Sequence, residues 1–295
     1  MKERPTIVVT GATSGIGEIA SIELAKRGAH LVLTARDKAK ASRTLGRIRA
    51  EAPGAHVDFH YADFGSVHAV AAVATEIAAR YDRIDVLINN AGLHAFEQRV
   101  TGDGFAEMIA VNYLAPWLFT DILRDALIRS APSRVVTVAS EASRRSGGLT
   151  PDKDLVDTSP FTRAGSSKVY GKTKLMDIMF SLELARQLEG TGVTAHCLDP
   201  GFNVTGLGRE LGFAEPLAKV LKWLGVGDPR RGAEIIVRLA TEDTDPTTGG
   251  YFSVKNARPL NPSAPADDAA ARHELWIRTR SLLSERLETI GFKQL

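Results

Sequence analysis

The sequence predicts an α/β protein with a single doubly wound domain, in which a parallel sheet of about seven strands is covered by helices on both faces. Two observations carry this prediction. Short apolar runs rich in β-branched residues alternate with longer stretches, each of a length for a crossover helix. Such crossovers are right-handed almost without exception, so the strands they join run parallel between two helical layers. The second observation is bulk: 44% of the 295 residues are apolar and 24% charged, ample for a core of this kind.

The strand runs fall at residues 6–10, 30–34, 57–61, 84–89, 135–139 and 193–198. A seventh, at 250–254, follows the turn-like Thr247-Thr248-Gly249-Gly250. No fixed-period repeat or low-complexity tract precedes residue 259. Beyond it, Pro259, Pro262 and Pro265 with Asp267 and Asp268 read as a linker, followed by an amphipathic helix over 269–287. The expected organisation is therefore one domain over residues 1–258 and a linker with a terminal helix over 259–295. That helix has three places to lie: on its own body, on a partner subunit, or over a pocket mouth.

Composition excludes several classes of function. The 37 basic and 35 acidic residues are interspersed and leave a formal charge of +2, which gives no support to nucleic-acid binding. Cys197 is the only cysteine, so no intramolecular disulfide can form. The N-terminus lacks a secretory apolar stretch, and no segment reaches the ~18 consecutive apolar residues of a membrane span. These features predict a cytoplasmic protein. His94, His196 and the other histidines show no ligand spacing, so no metal site is expected, and His196 within an apolar strand reads as a core residue.

Directly after the first strand comes Thr10-Gly11-Ala12-Thr13-Ser14-Gly15-Ile16-Gly17, and then a helical pattern through Ile19, Ala20, Ile22 and Leu24 that stops at Gly28. Glycines suit a tight turn whose backbone N–H groups and helix N-terminus must approach a pyrophosphate. Strand, glycine loop and helix in this order predict a dinucleotide-binding Rossmann fold, although the spacing is Gly-x-x-x-Gly-x-Gly. An NAD-specific site would place an acid at the end of the second strand to bind the ribose 2′-hydroxyl. Here that strand ends Leu33-Thr34-Ala35-Arg36-Asp37. Arg36 suits a 2′-phosphate in fork geometry, which favours NADP(H). The plainer alternatives are a solvated turn for Arg36 and a helix cap for Asp37.

In Ser166-Ser167-Lys168-Val169-Tyr170-Gly171-Lys172-Thr173-Lys174, Tyr170 and Lys174 stand four apart and share one helix face. A phenol with an ordinary pKa near 10 is a poor base at neutral pH, but a fixed ammonium favours its phenolate and makes it a usable proton carrier. These residues have company in order along the chain. Thr10 to Gly17, Asn89-Asn90-Ala91-Gly92, Asn112, Ser140, the Tyr170–Lys174 pair and Pro200-Gly201 together resemble the short-chain dehydrogenase/reductase family over residues 6–255. Val111 to Pro116, Leu184 to Leu188 and the long stretch before Tyr170 are similar to its retinol-dehydrogenase-like and protochlorophyllide-reductase-like branches, which mostly use NADP(H).

The resemblance implies a role for each position. Ser140 hydrogen-bonds the substrate carbonyl, Tyr170 supplies the proton, Lys174 holds the nicotinamide ribose and lowers the phenol's pKa, and Asn112 anchors a water beside Lys174. Gly11, Thr13, Ser14, Gly15, Ile16, Gly17, Ala91, Gly92, Pro200 and Gly201 border the cofactor. Asp63 and Phe64 meet its adenine, Asn89 borders it while bracing the sheet, and Thr205 approaches its carboxamide. For Asn89 and Asp63 a purely structural role is the alternative. One departure concerns Ser140, which stands 30 residues before Tyr170, farther than in the commonest members. Ser143 and Ser159 are its rivals, but Ser140 ends a strand at the carboxyl edge of the sheet. The family commonly pairs subunits through the helices carrying Asn112 and Tyr170, which implies a homodimer or homotetramer.

Residues 202–227 carry Val204, Leu207, Leu211, Phe213, Leu217, Trp223 and Leu224 between glycines. This segment reads as an apolar flap over a lipophilic or polycyclic ketone, aldehyde or alcohol, or else as a helix packed permanently on the body. A non-catalytic dinucleotide-binding regulator, an epimerase and a double-bond reductase are the competing functions on the same scaffold.

Overall fold

The computed structural model describes residues 4–201, 228–242, 248–289 and 291–292. Its strands are β1 (Thr6–Val9), β2 (His30–Ala35), β3 (His56–Tyr61), β4 (Val86–Asn89), β5 (Ser133–Val138), β6 (Val193–Asp199) and β7 (Gly250–Ser253). The principal helices are α1 (Gly15–Lys26), α2 (Lys38–Glu51), α3 (Val67–Arg80), α4 (Ala115–Arg129), α5 (Arg163–Gln187), α6 (Pro229–Thr241) and α7 (Ala269–Thr289). All strand pairs are parallel, in the order β3-β2-β1-β4-β5-β6-β7.

Alternation along each strand divides the core in two. Ile7 and Val9 of β1 pack with Leu31, Leu33, Ile88 and Val136 against α1, α2 and α6. Val8, Val32, Leu87 and Val135 face the opposite way, against α3, α4, α5 and α7. The strands match the expected runs closely. The exceptions are β4, which begins two residues late, where the Ile84 amide donates to Ser130 Oγ (2.8 Å), and β5, which begins two residues early at Ser133.

The terminal helix lies on its own body. Leu275, Trp276, Leu283 and Leu287 are buried in the second core layer. The Trp276 ring packs 5.0 Å from Trp117 on α4 and 5.9 Å from Phe180 on α5. Thr279 Oγ1 bonds Tyr113 Oη (2.7 Å), ahead of α4. α7 thus covers the sides of α4 and α5 that carry Trp117 and Phe180. Among the described residues no helix is long and apolar enough to cross a membrane.

Glu183 is an electrostatic anchor of this docking. Its buried carboxylate accepts from Arg186 (2.6 Å), Gln187 (2.8 Å) and His273 of α7 (3.0 Å). Burial pushes the carboxyl up, but these hydrogen bonds outweigh it and hold the group at about 2. A folded pKa below the unfolded one stabilises the protein above the unfolded value and loses that effect as pH falls through the folded value. Glu183→Gln is therefore expected to cost about 3 kcal/mol at neutral pH. Urea melts should show this difference shrinking from about pH 4.5 downward.

Candidate active site

Strand order reverses between β1 and β4, and the crevice beyond the carboxyl ends of these strands is where an open α/β sheet binds its ligand. A cleft of about 470 Å³ occupies this place. It brings together Gly11, Thr13, Ser14, Gly15, Ile16, Arg36, Asp63, Phe64, Ala91, Gly92, Ser140, Tyr170, Lys174, Pro200 and Gly201. Thr205 and the expected flap lie outside the described residues.

The loop after β1 is braced by the Asn-Asn-Ala-Gly turn after β4. Thr10 Oγ1 accepts from the amides of Asn90 and Ala91 (both 3.0 Å), while Asn90 Nδ2 donates to the carbonyls of Thr10 (2.9 Å) and Gly11 (3.1 Å). Gly11 has φ +66°, and a Cβ there would sit 2.7 Å from Ala91 Cα, so no other residue fits without strain. Ser14 stands at the N-cap of α1, yet its side chain caps nothing, which leaves the first-turn amides for an anion.

At the end of β2, Arg36 and Asp63 face each other at 3.9 Å, both largely exposed. Asp63 Oδ1 also accepts from the Gly65 amide (3.0 Å), so it shapes its turn while lining the cleft. Asp37 caps α2 through the Lys40 amide (3.0 Å), and this backbone hydrogen bond lowers its pKa. Lys40 joins Arg36 on the cleft wall, a second cation that the sequence reading missed although it sits in the first turn after Asp37.

Three expected residues do not line the cleft. Asn89 lies beneath it, 4% exposed, with Nδ2 donating to Thr120 Oγ1 on α4 (2.8 Å). It braces the sheet, and its neighbour Asn90 borders the cleft instead. Gly17 is tucked under the loop against Asn90. Asn112 sits in a π-helical turn, Ala110–Leu114, ahead of α4. Its Nδ2 donates to Leu93 O (2.9 Å) and Thr173 Oγ1 (3.0 Å), and its Oδ1 accepts from Leu93 N (2.8 Å). The amide's two N–H groups are thus committed to clamping the loop after β4 onto α5.

The long interval between Ser140 and Tyr170 is bridged by close packing. Ser140 lies two residues beyond β5 and caps a 3-10 turn, Glu141–Arg145, by accepting from the Ala142 amide (3.1 Å). This turn presses on α5 at Gly171, where a Cβ would sit 2.6 Å from Ala142 O. The intervening loop is held by the Lys172–Asp154 ion pair. Ser140 therefore reaches the cleft beside Tyr170, whereas Ser143 is buried elsewhere and Ser159 lies on the loop. Asp199, at the end of β6, accepts from the Glu141 amide (3.1 Å).

Tyr170 and Lys174 stand a turn apart on α5, with Nζ 5.9 Å from the phenol ring centroid. Burial pushes the phenol's pKa up, and the Lys174 ammonium opposes this. Lys174 is itself only 5% exposed and donates to Val138 O and Asp177 Oδ2, both at 2.8 Å. The His94 ring stacks on Tyr170 at 4.7 Å and 18°, with Nε2 3.2 Å from Ser166 Oγ. His94 is thus a cleft residue that fixes the plane of the phenol, a role without a signal in its sequence neighbourhood.

The comparisons with known proteins agree with this geometry. The family model for the short chain dehydrogenases matches residues 5–151. The Bos taurus protein "Dehydrogenase/reductase SDR family member 13" is 38% identical, over 94% of this chain and 72% of its own length. Human "Retinol dehydrogenase 13" is 34% identical, over 94% of this chain and 84% of its own. A solved Beutenbergia cavernae structure, described as a candidate NAD(P)-dependent gluconate 5-dehydrogenase with NADP bound at low occupancy, superposes with a TM-score of 0.67. It is 25% identical and covers 85% of this chain and 94% of its own. With the glycine loop, Ser140, Tyr170 and Lys174 gathered in one crevice, the chain belongs to the short-chain dehydrogenase/reductase family, on its retinol-dehydrogenase-like side.

Proposed function

We propose that the protein is an NADP(H)-dependent oxidoreductase that interconverts a carbonyl and an alcohol, with a lipophilic or polycyclic ketone, aldehyde or alcohol as substrate. The observation that carries this reading is the convergence of Ser140, Tyr170 and Lys174 on the cleft that also holds the glycine loop. The residues fit a dinucleotide. The uncapped start of α1 and the side-chain-free approach at Gly11 suit its pyrophosphate. Arg36 and Lys40 flank the end of β2, where Thr34 and Ala35 offer no acid to a ribose 2′-hydroxyl and Asp37, also on the cleft wall, engages Oδ1 in its capping bond. The Beutenbergia cavernae structure, with its NADP, supports the same preference.

When bound, the nicotinamide supplies the hydride. The chain's own residues manage the oxygen: Ser140 donates a hydrogen bond to the carbonyl, and the Tyr170 hydroxyl gives up its proton as negative charge develops there. Lys174 then stabilises the phenolate that Tyr170 becomes. The apolar side chains at residues 202–227 favour a lipophilic substrate, and the human relative's name, retinol dehydrogenase, points to an alcohol of that class. We assign the protein to the cytoplasm from its composition and its lone cysteine.

Arg36→Ala tests the cofactor preference. A hydrogen bond to a charged group is worth about 1.5–3 kcal/mol. NADPH binding, followed by its fluorescence, should weaken about 10- to 100-fold. NADH binding should change little. Equal losses for both cofactors would refute the assignment to the 2′-phosphate.

A further inference from the structure

We propose that Asp177 is a positioning residue for the proton-transfer pair: its buried carboxylate fixes the Lys174 ammonium and, by its charge, holds Tyr170 in its proton-donating form. The inference rests on the dehydrogenase reading of the site. Tyr170, Lys174 and Asp177 follow one another along a single stripe of α5. Asp177 is 1% exposed, and its Oδ2 accepts from Lys174 Nζ at 2.8 Å. Val138 O takes a second N–H of the same ammonium at 2.8 Å. An ammonium has three N–H groups, so the remaining one is directed by these two anchors toward the cleft that Lys174 lines.

Packing alone does not account for an acid at this position. Asp177 Oδ1 has no hydrogen-bond partner among the described residues, and a buried, half-satisfied carboxylate is costly where a neutral side chain would not be. The groups that face it are Lys174 and Tyr170 from α5, Tyr113 from the π-helical turn and Cys197 from β6. Burial keeps the Tyr113 hydroxyl and the Cys197 thiol protonated, so Lys174 is the counter-charge. Asp199, also on β6, acts on Tyr170 with the same sign. A fixed negative charge opposes loss of a proton from any nearby group. Asp177 thus keeps Lys174 charged and the phenol protonated, the state needed for carbonyl reduction.

The phenolate absorbance of the cofactor-free protein tests this directly. The pH titration of Asp177→Asn is compared with that of wild type, and subtraction of the matching Tyr170→Phe protein isolates Tyr170 in each. The isosteric amide removes only the charge, so the Tyr170 midpoint should fall by about one pH unit or more, tenfold in the proton equilibrium. Asp177→Glu, which keeps the charge, should stay near wild type. Asp177→Ser, neutral and smaller, serves in the same titration if the amide variant does not fold. A midpoint that stays with wild type, or rises, in the neutral variants overturns the proposal. The titration requires no turnover, so its failure refutes the role of Asp177 and leaves the reductase reading standing. A protein that reduces no carbonyl refutes that reading and leaves the titration intact.

Discussion

Tyr170→Phe is expected to slow carbonyl reduction by about 10²- to 10⁴-fold, the usual contribution of a positioned acid, while NADPH still binds. The ring and its stacking on His94 survive this change, and only the hydroxyl is lost. The pH dependence supplies a second signature. Burial raises the phenol's pKa, so reduction, which consumes the protonated phenol, should persist past neutrality and decline as pH rises through that value. Alcohol oxidation needs the phenolate and should rise through the same range. In the phenylalanine variant both limbs should vanish from whatever turnover remains, as measured by steady-state NADPH oxidation across the pH range. A variant that keeps the wild-type rate and pH profile would remove Tyr170 from the mechanism.

Lys174→Met is expected to damage stability as well as activity. The Lys174–Asp177 pair is buried on both sides, with the two side chains 6% and 1% exposed. Removal of one partner strands the other, at a cost of about 3–5 kcal/mol. The double variant Lys174→Met/Asp177→Asn strands no charge and should recover most of that loss in urea melts. It should nevertheless remain inactive, because the ammonium that stabilises the phenolate is gone. A double variant no more stable than the single would show that the pair's energetics lie elsewhere. Recovered activity would show that Lys174 does not support Tyr170.

The strands were legible in the sequence because parallel strands buried on both faces read as apolar runs, and the largest displacements are the starts of β4 and β5, by two residues each. Tyr170 and Lys174 were legible because helical spacing places them on one face whatever surrounds them. Ser140 was harder to place, since its approach to Tyr170 depends on the contact of Gly171 with Ala142 O, a packing fact that no local pattern encodes. Asn89 and Asn90 show the same limit. The dipeptide marks the turn, but only the sheet geometry decides which amide goes to Thr120 and which to the loop after β1. The docking of α7 hinges on Trp117, Phe180 and Trp276, far apart in the chain, so the amphipathic pattern revealed the helix but not the face it covers. Lys40 and His94 were missed because their neighbours in the cleft come from other elements.

The central claim is transfer of hydride between NADPH and a carbonyl carbon in this cleft, and an isotope label reads it most directly. The wild-type protein would be incubated with NADPH deuterated at the reactive nicotinamide carbon and a panel of lipophilic aldehydes and ketones, with products analysed by mass spectrometry and NMR. The account predicts an alcohol with deuterium on its carbinol carbon, and no such product from Tyr170→Phe in the same time. Deuterium in a reduced carbon–carbon double bond, or tight NADPH binding without label in any product of the panel, would contradict it.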